Sequence, residues 1–439
     1  MINNLNFKLN NVGCLANADM DIGKINIIGG LNSTGKSTSS KILYSFLRSN
    51  SKVRKDLVDS TLTKEILGLT VDLLNFNRPS WDDDKNNYEE IKDKFMKIMD
   101  KLSSRVNKSK RNEEEDKEYS DIIGCYNEIK RIYEEKFIIK EDYKKILDKS
   151  FSDVEKLVKI YNDNGDELFK TLMNQLIKRE FGKNLANLNN VRLSGEFNNN
   201  DFNYNVNIKD SEFNMSGWFI LEDVFYLDSF SIFDGISHGG LQNTEHIQHV
   251  FSSLDDDNSN DWADEILNDD IIELENKIME ITGGTFAYDD NNIIFSSLNQ
   301  EFLMKNTSSG IKQIGIIQML LNNRKLKENS FLIMDEPEVN LHPEWQVKFA
   351  EIITLLAKDL NVTLYINSHS PLFIEAIRTY CEKNGLLDET NFYLTFESEI
   401  SGKYDIKYIP NDDLNIIYNT LGKPYELLSM ISIENEFDF

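Results

Sequence analysis

Cysteine, proline and glycine are all scarce in this chain of 439 residues, which holds 3, 6 and 21 of them. Cys14, Cys125 and Cys381 are far apart and odd in number, which excludes a disulfide framework and points to a reducing compartment. So little proline and glycine fits long regular elements rather than a loop-rich fold. No stretch approaches the roughly 18 consecutive apolar residues that a membrane helix needs. The opening MINNLNFKLN lacks the charged start and apolar stretch of a secretory signal. The expectation is a cytoplasmic protein with no membrane contact. Basic residues are also short: 48 Lys and Arg face 74 Asp and Glu, a net charge of -26. A field of that sign repels nucleic acid at long range. Contact with DNA or RNA would therefore need a local basic patch or a partner protein. The one small patch, Arg105, Lys108, Lys110 and Arg111, runs straight into Glu113, Glu114, Glu115 and Asp116. It reads more simply as a solvated helix end or loop.

What is present is an ordinary folding composition, 40% hydrophobic and 28% charged, which excludes wholesale disorder. Leu5, Phe7 and Leu9 alternate with polar neighbours, as do Ala16, Ala18 and Met20, and KINIIG at 24–29 is a short apolar run. Period two with Asn and Gly punctuation predicts a β meander over 2–30. Ile42, Leu43, Phe46 and Leu47 then fall at helical spacing. Residues 49–191 are rich in Lys, Glu and Asp and carry short amphipathic stripes such as Phe95 with Ile98, Tyr126 with Ile129, and Met173 with Leu176. They predict an inserted helical lobe or short arm, splitting the chain into 1–48, 49–191 and 192–439.

Strand-like alternation returns after 191, followed by a loop with one short helix over 235–260, a helix at about 262–281 and a hairpin near 285–295. From there helices (311–321, 344–358, 371–383) alternate with apolar strands (331–334, 362–366), the pattern of an α/β fold with a mostly parallel sheet flanked by helices. Residues 392–396 and 404–409 predict two edge strands before a final helix.

Gly30-Leu-Asn-Ser-Thr-Gly-Lys-Ser37 matches G-x4-G-K-[ST], with an apolar strand before it and a helix after it. Glycines let backbone N–H groups turn inward around phosphates at a helix N-terminus. Gly30, Asn32, Ser33, Thr34, Gly35, Lys36, Ser37 and Thr38 are thus the candidate cradle for ATP. Lys36 is expected to reach the β- and γ-phosphates, and Ser37 to ligate Mg2+. The strand at 331–334 ends in Asp335 and Glu336. Successive strand residues face opposite ways, so the two carboxylates are given different work: Asp335 the metal, Glu336 the general base. Ser308, Ser309 and Gly310 open a helix and form a second anion-binding end. Tyr365-Ile-Asn-Ser-His-Ser-Pro371 sets His369 at the end of an apolar strand, where it can report on the γ-phosphate or the attacking water. His238, His246 and His249 sit close together in a loop-like stretch, but without a cysteine they read as surface histidines rather than a metal site.

In order, GLNSTGKST, TSSGIKQ, FLIMDEPEVNLHP and YINSHSP resemble the ATP-binding-cassette ATPases of the SMC, RecF and OLD group. They look most like the OLD-like ATPase subunits of bacterial anti-phage systems such as Septu and PARIS. The resemblance implies an ABC-type P-loop head that pairs head-to-tail with a second copy. Ser308 would touch the γ-phosphate held by the partner, residues 338–342 would communicate across the interface, and His369 would be the switch. The usual S-G-G-[QE] signature reads Ser308-Ser309-Gly310-Ile311 here, and only Gln242 and Gln248 offer themselves as the Q-loop glutamine. The residues after His369 show no clear Toprim triad, so a nuclease effector is expected to be a partner. Three competing expectations are a RecF- or SMC-like repair ATPase, disfavoured by the acidic charge, an ATP-locked scaffold with little turnover, and a transporter ATPase.

Overall fold

The computed structural model describes residues 2–54, 62–76, 92–98, 115–136, 141–162, 166–182, 188–197, 200–207, 212–217, 219, 221–228, 244–255, 269–289, 292–297, 300–303 and 309–437. The basic patch at 105–111, Ser308, His238 and Gln242 lie outside them. The chain divides into two compact units, one of Met1–Ser51 with Met173–Phe439 and one of Lys52–Leu172.

The larger unit is built on an 11-stranded mixed sheet. Its strands are β1 (Ile2–Val12), β2 (Leu15–Ile22), β3 (Ile25–Gly29), β4 (Leu188–Phe197), β5 (Asn200–Asn207), β6 (Glu212–Ser216), β7 (Val224–Leu227), β11 (Phe331–Asp335), β12 (Thr363–Ser368), β13 (Thr390–Glu397) and β14 (Tyr404–Ile409). The order is β6-β5-β4-β1-β2-β14-β13-β3-β12-β11-β7. Pairing is parallel from β13 through β3, β12 and β11 to β7, and again between β14 and β2. It is antiparallel through the β1, β2, β4, β5 and β6 wing and between β13 and β14. A separate three-stranded sheet holds β8 (Thr285–Asp289), β9 (Asn292–Ser297) and β10 (Gln300–Leu303), one strand more than the expected hairpin.

Two sequence expectations are corrected. β1 and β2 do pair as a hairpin, but β3 leaves them to lie between β12 and β13. All five β3 residues are buried, and a strand covered on both faces belongs in the sheet's interior. Nor are β13 and β14 edge strands. They fill the space between β2 and β3, and the Tyr404 N–H donates to the Cys14 carbonyl at 2.8 Å. The edges are β6 and β7.

The strand pleat sorts side chains into two layers. Leu332 and Met334 of β11, Leu364 and Ile366 of β12, and Phe225 and Leu227 of β7 enter one apolar cluster. That cluster also takes in α7 (Asp269–Thr282), α8 (Ser309–Asn322), α9 (Pro343–Asp359) and α10 (Pro371–Asn384) through Ile278, Ile317, Phe349 and Phe373. The alternate residues Tyr226, Asp335, Tyr365 and Asn367 are polar, yet buried. They meet α1 (Lys36–Arg54) through directional bonds: the Tyr365 and Ser39 hydroxyls lie 2.8 Å apart, and Asn367 Nδ2 donates to Ser40 Oγ at 2.7 Å.

The smaller unit is helical. It includes α2 (Leu62–Phe76), α3 (Glu115–Lys136) and α4 (Glu141–Asn162), and α5 (Asp166–Phe181) begins in it. Cys125, Ile129 and Ile132 recur at helical spacing on α3 and are buried with Leu69, Leu73, Phe95, Leu147 and Val154 in a core of their own.

Candidate active site

The phosphate loop leaves the end of β3 and enters α1. Its turn needs two left-handed residues, Ser33 (φ 64°) and Gly35 (φ 98°). A Cβ at Gly35 would stand 2.6 Å from the Leu15 side chain, so the tight approach also demands glycine. The Thr34 hydroxyl closes the loop on the Leu31 carbonyl at 2.8 Å. Lys36 is buried, and its Nζ donates to the carbonyls of Gly30 and Leu31, both at 2.8 Å. Burial lowers the lysine's pKa, while the carboxylates of Glu336, Asp335 and Glu338 oppose that fall. Asn32, Ser33 and Ser37 are exposed and Thr38 half-buried.

Parallel register brings the other groups to the same end of the sheet. Gly29 pairs with Ser368, and Asn367 with Asp335. Asp335 is buried and receives Asn367 Nδ2 at 3.0 Å and the Tyr226 hydroxyl at 3.3 Å. Burial pushes its carboxyl up; hydrogen bonds from Ser37 and Asn367 pull it back. β11 stops at Asp335, and Glu336 takes a left-handed backbone (φ 50°) with its N–H on the Asn367 carbonyl at 2.9 Å. The two carboxylates are therefore separated by a turn rather than by the pleat, a correction to the reason the sequence suggested. A left-handed residue that is not glycine carries strain of order 1 kcal/mol or more, and such strain gathers at functional sites.

His369 follows β12, and its Nδ1 stands 3.5 Å from Glu336 Oε1. The imidazole holds the Glu336 carboxyl below its usual range, and Glu336 in turn raises His369. The structure thus gathers Lys36, Ser37, Asp335, Glu336 and His369 around one loop. Ser309 and Gly310 are the first residues of α8.

Sequence reasoning gives no role to two residues here, Asn367 and Tyr226, and gives a third, Glu338, only the interface role that the resemblance implies for 338–342. Asn367 bonds the phosphate-loop helix and Asp335 at once. Tyr226 reaches Asp335 from β7, a four-residue strand. Glu338, just past the acid pair, is buried and accepts the Ser368 hydroxyl at 2.7 Å. The available signal was polarity inside apolar runs, as in YINS and VFYL.

His246 and His249 are not surface loop residues. They lie on α6 (Glu245–Asp255), one turn apart and buried. His246 Nδ1 is 2.8 Å from Glu180 and Nε2 3.2 Å from Asp228. Burial works to lower its pKa, but Asp228 and Glu180 outweigh it and the net direction is up. His249 stacks on Phe225 with centroids 4.9 Å apart and lies 3.4 Å from Asp223, which pairs Arg48 at 2.8 Å. Gln248, on the same helix, is exposed. These are carboxylate-paired core histidines; among the described residues no group of three or more His, Cys, Asp or Glu is placed to hold a metal.

Comparison with known proteins gives one family. The chain is similar to an SMC head domain from Thermotoga maritima at 9% identity, over 93% of this chain and 99% of that one, with a TM-score of 0.39. It is also similar to the SmcHead bound to the C-winged helix domain of ScpA (10%, 94% and 98%, TM-score 0.40). A third similar structure is the Smc head domain with an extended coiled coil bound to the C-terminal domain of ScpA, derived from Pyrococcus furiosus (10%, 98% and 99%, TM-score 0.34). No curated protein matches the chain. The family described as AAA ATPase domain matches residues 1–374, a span that holds the phosphate loop, the acid pair and His369 together. With most of its length inside that match, the chain belongs to the AAA ATPase domain family.

Proposed function

We propose that this ATPase hydrolyses Mg-ATP at the phosphate loop, pairs with a second copy of itself when ATP is bound, and so controls an effector, a nuclease, in anti-phage defence. The observation that carries the chemical part is the meeting of Lys36, Asp335, Glu336 and His369 at the C-terminal ends of β3, β11 and β12. The defence role is supported by the order and wording of the four motifs. Residues 49–191 are assigned as an insertion in the ATPase head.

In this reading the loop amides of 30–37 and the Lys36 ammonium bind the β- and γ-phosphates. The donor set suits magnesium: that ion favours one or two carboxylates with substrate phosphates over an all-protein cage, and the Ser37 hydroxyl lies near enough to Asp335 to lower its carboxyl. Magnesium, when bound, neutralises charge on the phosphate oxygens. Glu336, ionised at neutral pH, accepts a proton from water as the water oxygen bonds to the γ-phosphorus. The bond from that phosphorus to the bridging oxygen breaks, and ADP and phosphate leave. His369 steadies Glu336 from the side.

Two measurements test this. Mg-ATP, and not ADP, is expected to turn a monomer into a dimer in sedimentation velocity, with phosphate released on turnover. A folded chain that neither binds ATP nor self-associates sinks the proposal. For the effector, a nuclease gene beside this one supports the defence role, and a membrane permease there opposes it.

Asn367→Leu tests the setting of Asp335. Partners that orient a metal ligand are typically worth about 10- to 100-fold in metal affinity or activity. The variant is expected to need at least about 10-fold more Mg2+ for half-maximal hydrolysis. An unchanged Mg2+ titration removes Asn367 from that role.

A further inference from the structure

We infer that Glu338 is a positioning residue: its carboxylate fixes residues 368–370, and so sets where His369 stands relative to Glu336. The inference rests on the roles proposed for those two residues. Glu338 lies in the turn between β11 and α9, and its side chain is 2% exposed. Among the described residues no lysine or arginine forms a salt bridge with it. A carboxylate buried that way is costly unless other donors satisfy it.

The donors come from three consecutive residues. The Ser368 hydroxyl donates to Glu338 Oε1 at 2.7 Å, the His369 N–H at 3.0 Å and the Ser370 N–H at 3.2 Å. All three meet on one oxygen, while Oε2 has no hydrogen-bond partner. Ser370 caps α10 by accepting the Phe373 N–H at 3.2 Å, so the carboxylate also sits at the positive end of that helix. The backbone of His369 is thus held by one carboxylate and its ring turned to another. Nδ1 lies 3.5 Å from Glu336 Oε1 and 3.7 Å from Glu338 Oε1.

A second tether runs alongside. Gln346 of α9 accepts the Ser370 hydroxyl at 2.8 Å and donates to the Leu341 carbonyl at 3.2 Å. The turn after the acid pair and the switch segment are therefore bound edge to edge, and a shift of one carries the other. Apolar packing alone would hold these strands without placing a carboxylate there. What the carboxylate adds is a fixed aim for residues 368–370.

Hydrogen exchange on the full chain without nucleotide tests the anchor. Glu338→Ala is expected to raise exchange in the peptide covering 366–372 and to leave β3 and β11 unchanged. Glu338→Gln keeps an oxygen that accepts the same three bonds and is expected to restore most of the protection. With Mg-ATP, Glu338→Ala is expected to lower kcat by about 10²-fold, the scale set by an ångström-sized misplacement, with KM little changed. Glu338→Gln should recover much of that loss, and Gln346→Ala should fall between. Unchanged exchange at 368–370 in Glu338→Ala overturns the inference. So does a uniform loss of protection across β3, β11 and β12 in both Glu338 variants, which marks a role in the fold alone. The exchange arm needs no turnover, so it reads the anchor even if the proposed hydrolysis fails.

Discussion

Glu336→Gln is expected to lower ATP turnover by about 10²- to 10⁴-fold, the range a positioned general base contributes. Nucleotide is expected to stay bound and the ATP-bound dimer to accumulate. Three observations combine here. The Glu336 side chain is partly open to solvent and so to a water molecule. The imidazole of His369 keeps its carboxyl ionised by holding its pKa below the usual range. The left-handed backbone at Glu336 sets it in the turn just past the end of β11. Glutamine keeps the size and the turn but cannot take the proton. Phosphate release in a single turnover, beside filter-bound ATP, separates chemistry from binding. Turnover near the intact rate would remove Glu336 from the chemistry.

Lys36→Ala is expected to act on binding. Hydrogen bonds to charged groups are worth about 1.5–3 kcal/mol, so losing one to phosphate weakens ATP by about 10- to 100-fold. The loop itself adds to this, because Lys36 also ties the carbonyls of Gly30 and Leu31. Lys36→Arg is not expected to rescue it, since a planar fork cannot follow the same buried path. Titration of a fluorescent ATP analogue, with a thermal melt to show folding, checks the result. A folded Lys36→Ala chain that binds as well as the intact one discards the cradle.

The parts legible in the sequence are those where chemistry constrains residue type at short range. The phosphate loop was readable because only glycine suits φ 98° beside Leu15, and the acid pair because an apolar strand seldom ends in two carboxylates. Strand order was not readable. β13 and β14 come to lie between β2 and β3, and nothing in residues 390–409 names those distant partners. β7 escaped because four consecutive buried residues show no period. Asn367 carries no signal of its own in Tyr365–Pro371, yet it bonds Ser40 and Asp335 together. Glu338 belongs to the stretch 338–342 that the resemblance assigns to an interface, and only tertiary structure reveals that its side chain is buried. The burial of His246 and His249 is hidden for a related reason: their carboxylate partners Glu180 and Asp223 are remote in sequence.

The two faces of the central strands differ in how they resist motion. Under α1 the contacts include hydrogen bonds, between the Tyr365 and Ser39 hydroxyls and from Asn367 to Ser40. Such bonds have preferred directions and break when a helix rolls. On the opposite face α9 and α10 rest on leucine, isoleucine and phenylalanine, and helices packed in that way can shear by small steps. The nucleotide end of the ATPase head therefore has a stiff floor and a compliant roof. Mechanical work is expected to leave through α9 and α10, while Lys36 and Asp335 keep their spacing throughout the cycle.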